Sequence, residues 1–505
     1  MKILIIPDVP HWAIGKLSKS IKRHNADMDI EILYIHPRDA ESQESIDKVK
    51  EASKDADLIH FQYWNTAQKL IKKIPELQKK KTILTHHNQK NLLSEQWDFL
   101  GIDYHVCHTQ YSKRKLMEAG YKNVWVIQHG INLKYFEYNQ KATHDQKYFG
   151  YVGRIVPWKG MKEIAQAARE IGYPISFMGK VEKANYWEGI DVMDRSNILP
   201  TFMNCSDGER IEGYYDMTVY VGNSGPGREE GTLGLLEAMA CGVPVVTTPS
   251  GVAADICEDN YNALVVPFGD YQALKSAMSR LMSDEKLQEK LRGNAWNTVK
   301  NMCEEKMALE YRRLYKKAFG GDKPLVSVIV PYTEERKEYV DKIEEAYKNQ
   351  TYKNIEFIKI EDTEPGYNLA KIRNEAAINA SGEILIFNDS RMLPEPDAVE
   401  KFVVYFKDKK ELIWCFGDKG AGKKAFVENF SAIRREHFIK GGMCCEQIKQ
   451  YGAMSQELRE RFQFNGFKLK FTADAKCKPM CGTHKTRERR QDIIKSKFLM
   501  YKMGL

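Results

Sequence analysis

The chain has 505 residues, enough for about three domains of ordinary size, and it is 43% hydrophobic and 29% charged. This composition excludes a wholly disordered, collagen-like or coiled-coil chain, and no apolar run approaches the ~20 residues that a membrane span needs. The net charge of +8 is carried entirely by residues 468–505, with eleven basic and three acidic side chains, so only this tail is expected to contact nucleic acid or an anionic membrane.

The amino terminus begins with a short apolar run, Ile3–Ile6, followed by Pro7 and Asp8. A secretory signal needs roughly 7–15 apolar residues, so we interpret the run as a buried strand. The ten cysteines are irregularly spaced and do not form a disulfide framework. We therefore expect a cytoplasmic protein without a transmembrane segment.

Short β-branched runs alternate with amphipathic helical stretches through the first 318 residues. Strands that are apolar on both faces, with helices between them, predict parallel sheets covered on both sides. The pattern restarts after the polar stretch 137–147, which predicts two lobes with a ligand cleft at the carboxyl ends of their strands, and a charged helical region over 271–318 ends the second lobe. The predicted strands are 3–6, 30–35, 58–61, 82–85, 104–107 and 124–127, then 149–153, 175–178, 217–221, 243–247 and 263–266.

The first motif is GYVGRIVPWKG, over residues 150–160. A strand ends at Gly153, Arg154 stands at its exit, and Pro157 prepares a helix that begins near Lys159. A guanidinium and an ammonium group beside a helix N-terminus form a diphosphate clamp. The alternative is an ordinary surface turn that carries two cations.

The second motif is REEGTLGLLEAMACGVPVV, over residues 228–246, at the end of a Gly-rich loop. Glu229 and Glu237 can accept hydrogen bonds from sugar hydroxyls while loop amides face phosphate. Helix capping also explains Glu229 or Glu230 well. Glu237 is different, because it lies in the apolar stretch Leu235–Ala240, where an unpaired carboxylate is costly.

The combination of these two motifs resembles the retaining glycosyltransferases of family 4, which have the two-lobed GT-B fold. The resemblance covers residues 1–318 and includes the segments TILTHHNQ, NVWVIQHGINLKYF and PSGVAADICEDNYNALVVPFGD. It implies an α/β GT-B unit with an amino-terminal acceptor lobe, 1–145, and a carboxyl-terminal donor lobe, 146–318. It also implies transfer of a sugar from a nucleotide-sugar to a glycan or other acceptor hydroxyl, with retention and with no required metal or other cofactor.

The resemblance assigns roles by position. Arg154 and Lys159 would hold the donor diphosphate, and Glu237 would bind the nucleotide ribose. Spacing selects Glu229 for the donor sugar, whereas the local Glu-Gly dipeptide selects Glu230, and both stay open. The active-site histidine of the amino lobe matches His87, with His86 as the competitor. The remaining donor-binding positions are Gly15, Gly153, Thr232 and Leu233.

A linker at 319–324 is predicted from its Gly and Pro content, and a third α/β unit follows over 325–488. Segments such as PLVSVIVPY and SGEILIF, within 324–485, resemble glycosyltransferase family 2, which has the GT-A fold. Where that family has Asp-x-Asp for a divalent metal, this chain has Asp389 followed by Ser390 and Arg391.

An arginine in that position repels a metal ion and can pair with phosphate itself. Met454 and Ser455 stand where the family has an acidic pair, so we expect the third unit to be inactive. The competing interpretation is a bifunctional enzyme with a rearranged second site that uses Mn²⁺ or Mg²⁺, with Asp389 and His484 as metal ligands. The acidic and histidine residues of that site would be Asp362, Asp389, Glu446, Glu457 and His484.

Other function classes compete with the transferase. The chain could be a non-catalytic scaffold built from transferase folds, or a transferase acting on modified nucleic acid, which only the basic tail over 489–505 supports. The segment 417–424 nearly fits a phosphate-binding loop, but Lys424 replaces the hydroxyl residue that would bind Mg²⁺. A zinc site is disfavoured by irregular spacing in its candidate ligands, Cys444, Cys445, Cys477, Cys481 and His484.

Overall fold

The structure is a computed structural model, and it describes residues 1–10, 13–88, 101–139, 147–182, 184–191, 198–199, 207–225, 227, 230–320, 323–363, 368–420, 429–448 and 454–480. The chain divides into two compact units, Met1–Tyr311 and Arg312–Leu505. The division falls within a helix, Glu304–Gly320, that extends into the segment predicted as a linker. The helix continues to Gly320 because apolar side chains recur at helical spacing as far as Ala318 and are buried.

The first lobe of unit 1 is a six-stranded parallel sheet in the order β2-β1-β3-β4-β5-β6. Four of its strands are buried along nearly their whole length, as predicted from their apolar runs. The strands are β1 (Lys2–Ile6), β2 (Asp29–Ile32), β3 (Leu58–Phe61), β4 (Lys81–Thr85), β5 (Tyr104–Cys107) and β6 (Val124–Val126). The helices are α1 (Ala13–Arg23), α2 (Gln43–Ser53), α3 (Trp64–Lys73) and α4 (Gln110–Glu118), with a 3₁₀ turn at Pro75–Lys79.

The second lobe of unit 1 is also a six-stranded parallel sheet, in the order β12-β11-β10-β7-β8-β9. Its strands are β7 (Phe149–Val152), β8 (Ile175–Met178), β9 (Ile198–Leu199), β10 (Val219–Val221), β11 (Val245–Thr247) and β12 (Leu264–Val265). Its helices are α5 (Met161–Ile171), α6 (Ala184–Asp191), α7 (Asp207–Asp216), α8 (Leu233–Cys241), α9 (Ala253–Ile256), α10 (Tyr271–Ser283) and α11 (Glu285–Val299), and they are followed by α12 (Glu304–Gly320), within which the division between the two units falls. The helical region predicted over 271–318 is thus three helices.

Each sheet of unit 1 has a point where the strand order reverses. The chain proceeds outward from β7 through β8 to β9 and then returns to the other side of β7 as β10. The same reversal occurs between β1 and β3 in the first lobe. Ligands of open α/β sheets bind outside the carboxyl ends of the strands at such points, so the loops after β7 and β10 are the expected binding loops of the second lobe.

Unit 2 includes the third α/β unit predicted over 325–488. It contains a mixed seven-stranded sheet in the order β14-β13-β15-β18-β17-β19-β16. Its strands are β13 (Val326–Tyr332), β14 (Ile355–Glu361), β15 (Ile384–Asn388), β16 (Met392–Pro394), β17 (Ile413–Asp418), β18 (Phe430–Arg434) and β19 (Lys468–Pro479). Its helices are α13 (Lys337–Lys348), α14 (Leu369–Asn379), α15 (Ala398–Val403), α16 (Arg435–Lys440) and α17 (Met454–Phe464), with 3₁₀ turns at Glu334–Arg336 and Val404–Phe406. Strands β14, β13 and β15 are parallel, and β18 runs antiparallel to β15. The GT-A assignment of this unit stays a prediction.

The helices in the described parts of the chain are too short or too polar to span a lipid bilayer. Several predicted features lie outside the described residues, and the predictions made for them stay predictions. They are Glu229, Cys481, His484, the phosphate-loop candidate from residue 421 onward, and the basic tail over 489–505.

Candidate active site

The loop after β7 carries the two predicted diphosphate ligands. Gly153 has φ +147°, a conformation that residues with a side chain rarely adopt, and Arg154 follows it. The Arg154 side chain is 54% exposed and donates a hydrogen bond to Glu182 at 3.0 Å. Lys159 is only 6% exposed, and its Nζ lies 5.7 Å from the ring centroid of Tyr151. A buried ammonium group directly before helix α5 suits a bound anion.

Glu237 lies in the second turn of α8, which begins at Leu233 with Thr232 as its N-cap. The carboxylate is 4% exposed and accepts a 2.8 Å hydrogen bond from the hydroxyl of Tyr214. Tyr214 is therefore the hydrogen-bond partner that a carboxylate in apolar surroundings needs. Gly234, on the same helix, packs directly against β7, where a Cβ would lie 2.3 Å from the carbonyl oxygen of Val152. Helix α8 thus begins beside the loop that carries Arg154.

Glu230 has a role that the sequence did not predict. Its side chain is 1% exposed, and it accepts hydrogen bonds from the hydroxyl of Ser112 and, at 3.1 Å, from the backbone N–H of His108. Burial raises the pKa of the Glu230 carboxyl to about 7, although both hydrogen bonds act to lower it. The carboxylate assigned to the donor sugar by the Glu-Gly dipeptide is therefore already bound to the first lobe.

The N-terminus of α4 is where the two lobes of unit 1 meet. Thr109 is the N-cap and accepts a hydrogen bond from the backbone N–H of Ser112. Besides Glu230, a second acidic residue of the other lobe, Asp255, accepts a 2.7 Å hydrogen bond from the backbone N–H of Gln110. Acidic side chains are favourable at helix N-termini because the N–H groups there carry partial positive charge.

Polar side chains follow four neighbouring strands at the carboxyl edge of the first sheet: Gln62 after β3, His87 after β4, His108 after β5 and His129 after β6. His87 Nε2 lies 3.0 Å from Gln62 Oε1, and His87 Nδ1 lies 3.1 Å from His108 Nε2. Burial and neighbouring rings lower the pKa of His87 and of His129 well below the usual range, and burial lowers that of His108 to about 4.

The competitor of His87 is placed differently. His86 is 1% exposed, and its Nε2 lies 3.1 Å from His105 Nδ1. His87 is half-buried and therefore the more accessible of the two. Its accessibility favours His87 as the active-site histidine, and the assignment stays a prediction.

Gly15, predicted to approach the donor diphosphate, is buried in α1. A Cβ at this position would lie 1.9 Å from the carbonyl oxygen of Val9, so packing is by itself a sufficient reason for glycine here. Its contact with a ligand stays a prediction.

The described acidic residues of the predicted second site each have a hydrogen-bond or ion-pair partner within unit 2. Asp389 pairs with Arg391 through two 2.8 Å side-chain hydrogen bonds. Burial opposes ionisation of Asp389, but the hydrogen bonds and charge of Arg391 outweigh it and lower its pKa. Glu457 is buried and pairs with Arg461.

Glu446 and Asp362 likewise have partners. Asn374 donates a 2.8 Å hydrogen bond to Glu446, and Asn368 donates one of 3.3 Å to Asp362. In the described parts of the chain, His87, His108 and His129 are the one group of three or more ligands close enough together to hold a metal, so these acidic residues form no such group. The described cysteines are free, and three of the zinc candidates, Cys444, Cys445 and Cys477, are among them.

Sequence reasoning did not single out Gln62, Ser112, His108, His129 or Asp255. The available signal was the position of the two histidines and of Gln62 just after predicted strands, because the ends of parallel strands meet at one edge of a sheet. Ser112 and Asp255 have no such signal, since their contacts join two lobes.

Solved structures share the fold of the first unit. Sucrose-phosphate synthase from Thermosynechococcus elongatus is 18% identical with a TM-score of 0.55, covering 63% of this chain and 99% of its own. Anabaena HepE, solved in complex with UDP, is 15% identical with a TM-score of 0.53, covering 62% of this chain and 99% of its own. Together with the two parallel sheets, these likenesses show the α/β GT-B fold.

Residues 136–298 match the family described as Glycosyl transferases group 1. The capsular polysaccharide biosynthesis glycosyltransferase CapM of Staphylococcus aureus is 30% identical over 176 residues, which are 34% of this chain and 46% of CapM. This chain thus spans about half the length of that curated relative. The family match and the relative support a glycosyltransferase enzyme, and the family match falls mainly on the second lobe.

Proposed function

We propose that unit 1 is a retaining glycosyltransferase that moves a sugar from a nucleotide-sugar to an acceptor hydroxyl. The observation that carries the proposal is the buried cation Lys159, placed with Arg154 after β7 at the point where the strand order of the second sheet reverses. This is the position at which open α/β sheets bind nucleotides. The group 1 glycosyltransferase match over 136–298 covers the same loops.

The chemistry follows from the charges. As the bond between sugar and diphosphate breaks, negative charge grows on the leaving diphosphate, and two fixed cations stabilise it in place of a metal ion. Arg154 is exposed and paired with Glu182, so the donor must compete with Glu182 for it. Lys159 is already enclosed, and enclosure strengthens its attraction for the diphosphate.

Glu237 is proposed to bind the nucleotide ribose through its carboxylate. His87, on the facing lobe, is proposed to contact the donor sugar. Because Glu230 is bonded to α4, Glu229 is the better candidate for the second donor-sugar contact. Gly15, Gly153, Thr232 and Leu233 complete the proposed donor site.

The acceptor is proposed to be a glycan hydroxyl and the reaction to take place in the cytoplasm. The named role of CapM in capsular polysaccharide biosynthesis supports a glycan acceptor, and the UDP bound by HepE supports a uridine nucleotide as the first donor to test.

Unit 2 is proposed to lack transferase activity and to serve in acceptor binding or assembly. The Asp389–Arg391 pair supports this proposal, because an aspartate with a bidentate arginine partner has little remaining attraction for a divalent metal. A bifunctional enzyme with a second, metal-dependent inverting site is the alternative.

The proposal is tested first by screening nucleotide-sugars for thermal stabilisation of the full chain, since a ligand at ~100 times its Kd adds about 2.7 kcal/mol. Transfer from the best donor is then compared in Lys159→Ala and in the matched control Lys162→Ala. Lys162 is exposed and also lies over a tyrosine ring, at 5.4 Å from Tyr186.

Loss of an electrostatic stabiliser of the transition state costs about 3 kcal/mol, or roughly a hundredfold in kcat. We expect that loss in Lys159→Ala and a near-parental rate in Lys162→Ala. Near-normal turnover of a folded Lys159→Ala protein would contradict the proposal. The anomeric configuration of the product, measured by NMR, tests retention separately.

A further inference from the structure

Three histidines form a group at the carboxyl edge of the first sheet, and the proposed donor site includes His87 but gives no role to His108 or His129. His87, His108 and His129 each present a ring nitrogen within 4.8 Å of the ring nitrogens of the other two. They come from the ends of three successive strands, β4, β5 and β6, so the sheet itself fixes their spacing. His108 is buried, whereas His87 is half-buried and therefore more accessible.

Hydrogen bonds determine which ring nitrogens carry protons. His108 Nδ1 lies 2.7 Å from the carbonyl oxygen of Ile127, which can only accept, so this nitrogen is the protonated one. His87 Nε2 lies 3.0 Å from Gln62 Oε1, which is also an acceptor, so the proton of His87 is on Nε2. In the neutral rings, the lone pairs therefore sit on His108 Nε2 and His87 Nδ1.

These two lone-pair nitrogens face each other at 3.1 Å. Two acceptors at this distance repel each other unless a cation lies between them. The separation matches the distance of about 3.3 Å between ligand nitrogens in a tetrahedral site with Zn–N bonds of ~2.0–2.1 Å. The protein therefore holds two imidazoles in the arrangement of a metal site, with a shared proton as the rival occupant.

We infer that His87, His108 and His129 bind a divalent transition-metal ion, and Zn²⁺ is the ion to test. Neutral imidazole nitrogens are preferred ligands of Zn²⁺, and three of them leave one position for water. The carbonyl of Ile127 and the amide of Gln62 hold the opposite nitrogens of their rings, as outer partners do in established metal sites. His129, whose ring stacks on His108 at 3.9 Å between centroids, is the third ligand of the set.

The position of His129 gives the ion a structural consequence. His129 belongs to the connection between the two lobes, and its ring packs against Gly231, where a Cβ would lie 1.9 Å from His129 Cδ2. A bound ion would hold this connection to the first lobe, next to the loop that carries Glu230. The inference departs from the expectation of no metal in this unit, and it does not rest on the proposed transferase activity.

The test uses the full chain, freed of metal with a chelator and titrated with Co²⁺ as a spectroscopic substitute and with Zn²⁺ by calorimetry. We expect one ion per chain, Co²⁺ absorption of tetrahedral intensity without thiolate charge-transfer bands, and a Zn²⁺-dependent rise in Tm. His129→Gln and His108→Gln should lose this binding, and Gln62→Leu should weaken it by about 10–100-fold.

The matched control is His105→Gln, which changes a buried histidine within β5 that pairs with His86 instead, and it should bind as the parent does. Because His108 is fully buried, its substitution also perturbs packing, so His129→Gln and Gln62→Leu decide the result, each checked for parental Tm in chelator. Absence of stoichiometric binding, which leaves a shared proton as the bridge, would overturn the inference. Thiolate bands, undiminished binding in His129→Gln, or loss of binding in His105→Gln would overturn it as well.

Discussion

The contact of Glu230 with the first lobe predicts a measurable dependence of stability on pH. In the folded protein, burial raises the pKa of this carboxyl from its usual 4.5 to about 7. The folded state therefore keeps the proton over a range of pH in which the unfolded state has lost it. The contribution of Glu230 to the free energy of unfolding is therefore complete below about pH 4.5, and it is lost as the pH rises through about 7.

The size of the effect follows from the shift. Each pKa unit corresponds to about 1.4 kcal/mol, so the whole shift is worth roughly 3 kcal/mol, and most of it falls between about pH 5 and about pH 8. Glu230→Gln has no proton to lose and can still accept from the backbone N–H of His108. The variant should therefore gain roughly 2–3 kcal/mol relative to the parent across that interval.

The assay is urea unfolding of parent and variant at a series of pH values, in chelator, following the transition of unit 1. Glu258→Gln, which changes an exposed carboxylate of the same lobe, is the control and should track the parent. Ser112→Ala removes a hydrogen bond that lowers the pKa of Glu230, so its pH-dependent interval should move upward. A difference between Glu230→Gln and the parent that stays constant from pH 5 to pH 8 would refute the reasoning.

Three further predictions concern the donor site and unit 2. Glu182→Gln removes the carboxylate that competes with the donor for Arg154. Because this ion pair is largely exposed, the donor Kd should fall by no more than about fivefold. An unchanged Kd in calorimetry would show that Glu182 does not compete with the donor. Glu237→Gln keeps an acceptor for its tyrosine partner, so Tm should change little, while loss of a charged hydrogen bond to ribose should weaken nucleotide binding by about tenfold or more. Equal affinity would make Glu237 structural. Asp389→Ala should leave transfer unchanged with and without Mn²⁺, whereas metal-dependent transfer that survives Lys159→Ala and vanishes in Asp389→Ala would establish a second active site.

Much of the architecture of unit 1 could be predicted from local patterns. The strands 58–61, 104–107 and 175–178 occur at the predicted residues, because a run of apolar residues between turn signals must be buried on both faces. The strands predicted to begin at 217 and 243 begin two residues later, at Val219 and Val245. Their ends depend on pairing with neighbouring strands, which the apolar run alone does not specify.

The sequence by itself also determined which chemical groups stand at the end of β7 and at the start of α8. Arg154, Lys159 and Glu237 are identified by motif and by spacing, since each lies within a few residues of the turn that positions it. The degree of burial was not determined in this way. Only the packed structure shows that Lys159 is enclosed while Arg154 is half-exposed.

The tertiary structure alone decided where Glu230 goes and that three histidines meet. Glu230 and Ser112 are 118 positions apart, and their contact forms only when the loops of two lobes come together. His87, His108 and His129 are separated along the chain by α4 and by strands, and parallel pairing of those strands brings their ends to one edge. Side-chain identity is a local property of the sequence. The distance between residues that are far apart in the sequence is set by the pairing of the whole sheet and the packing of the two lobes. Both the Glu230–Ser112 contact and the group of three histidines depend on such distances.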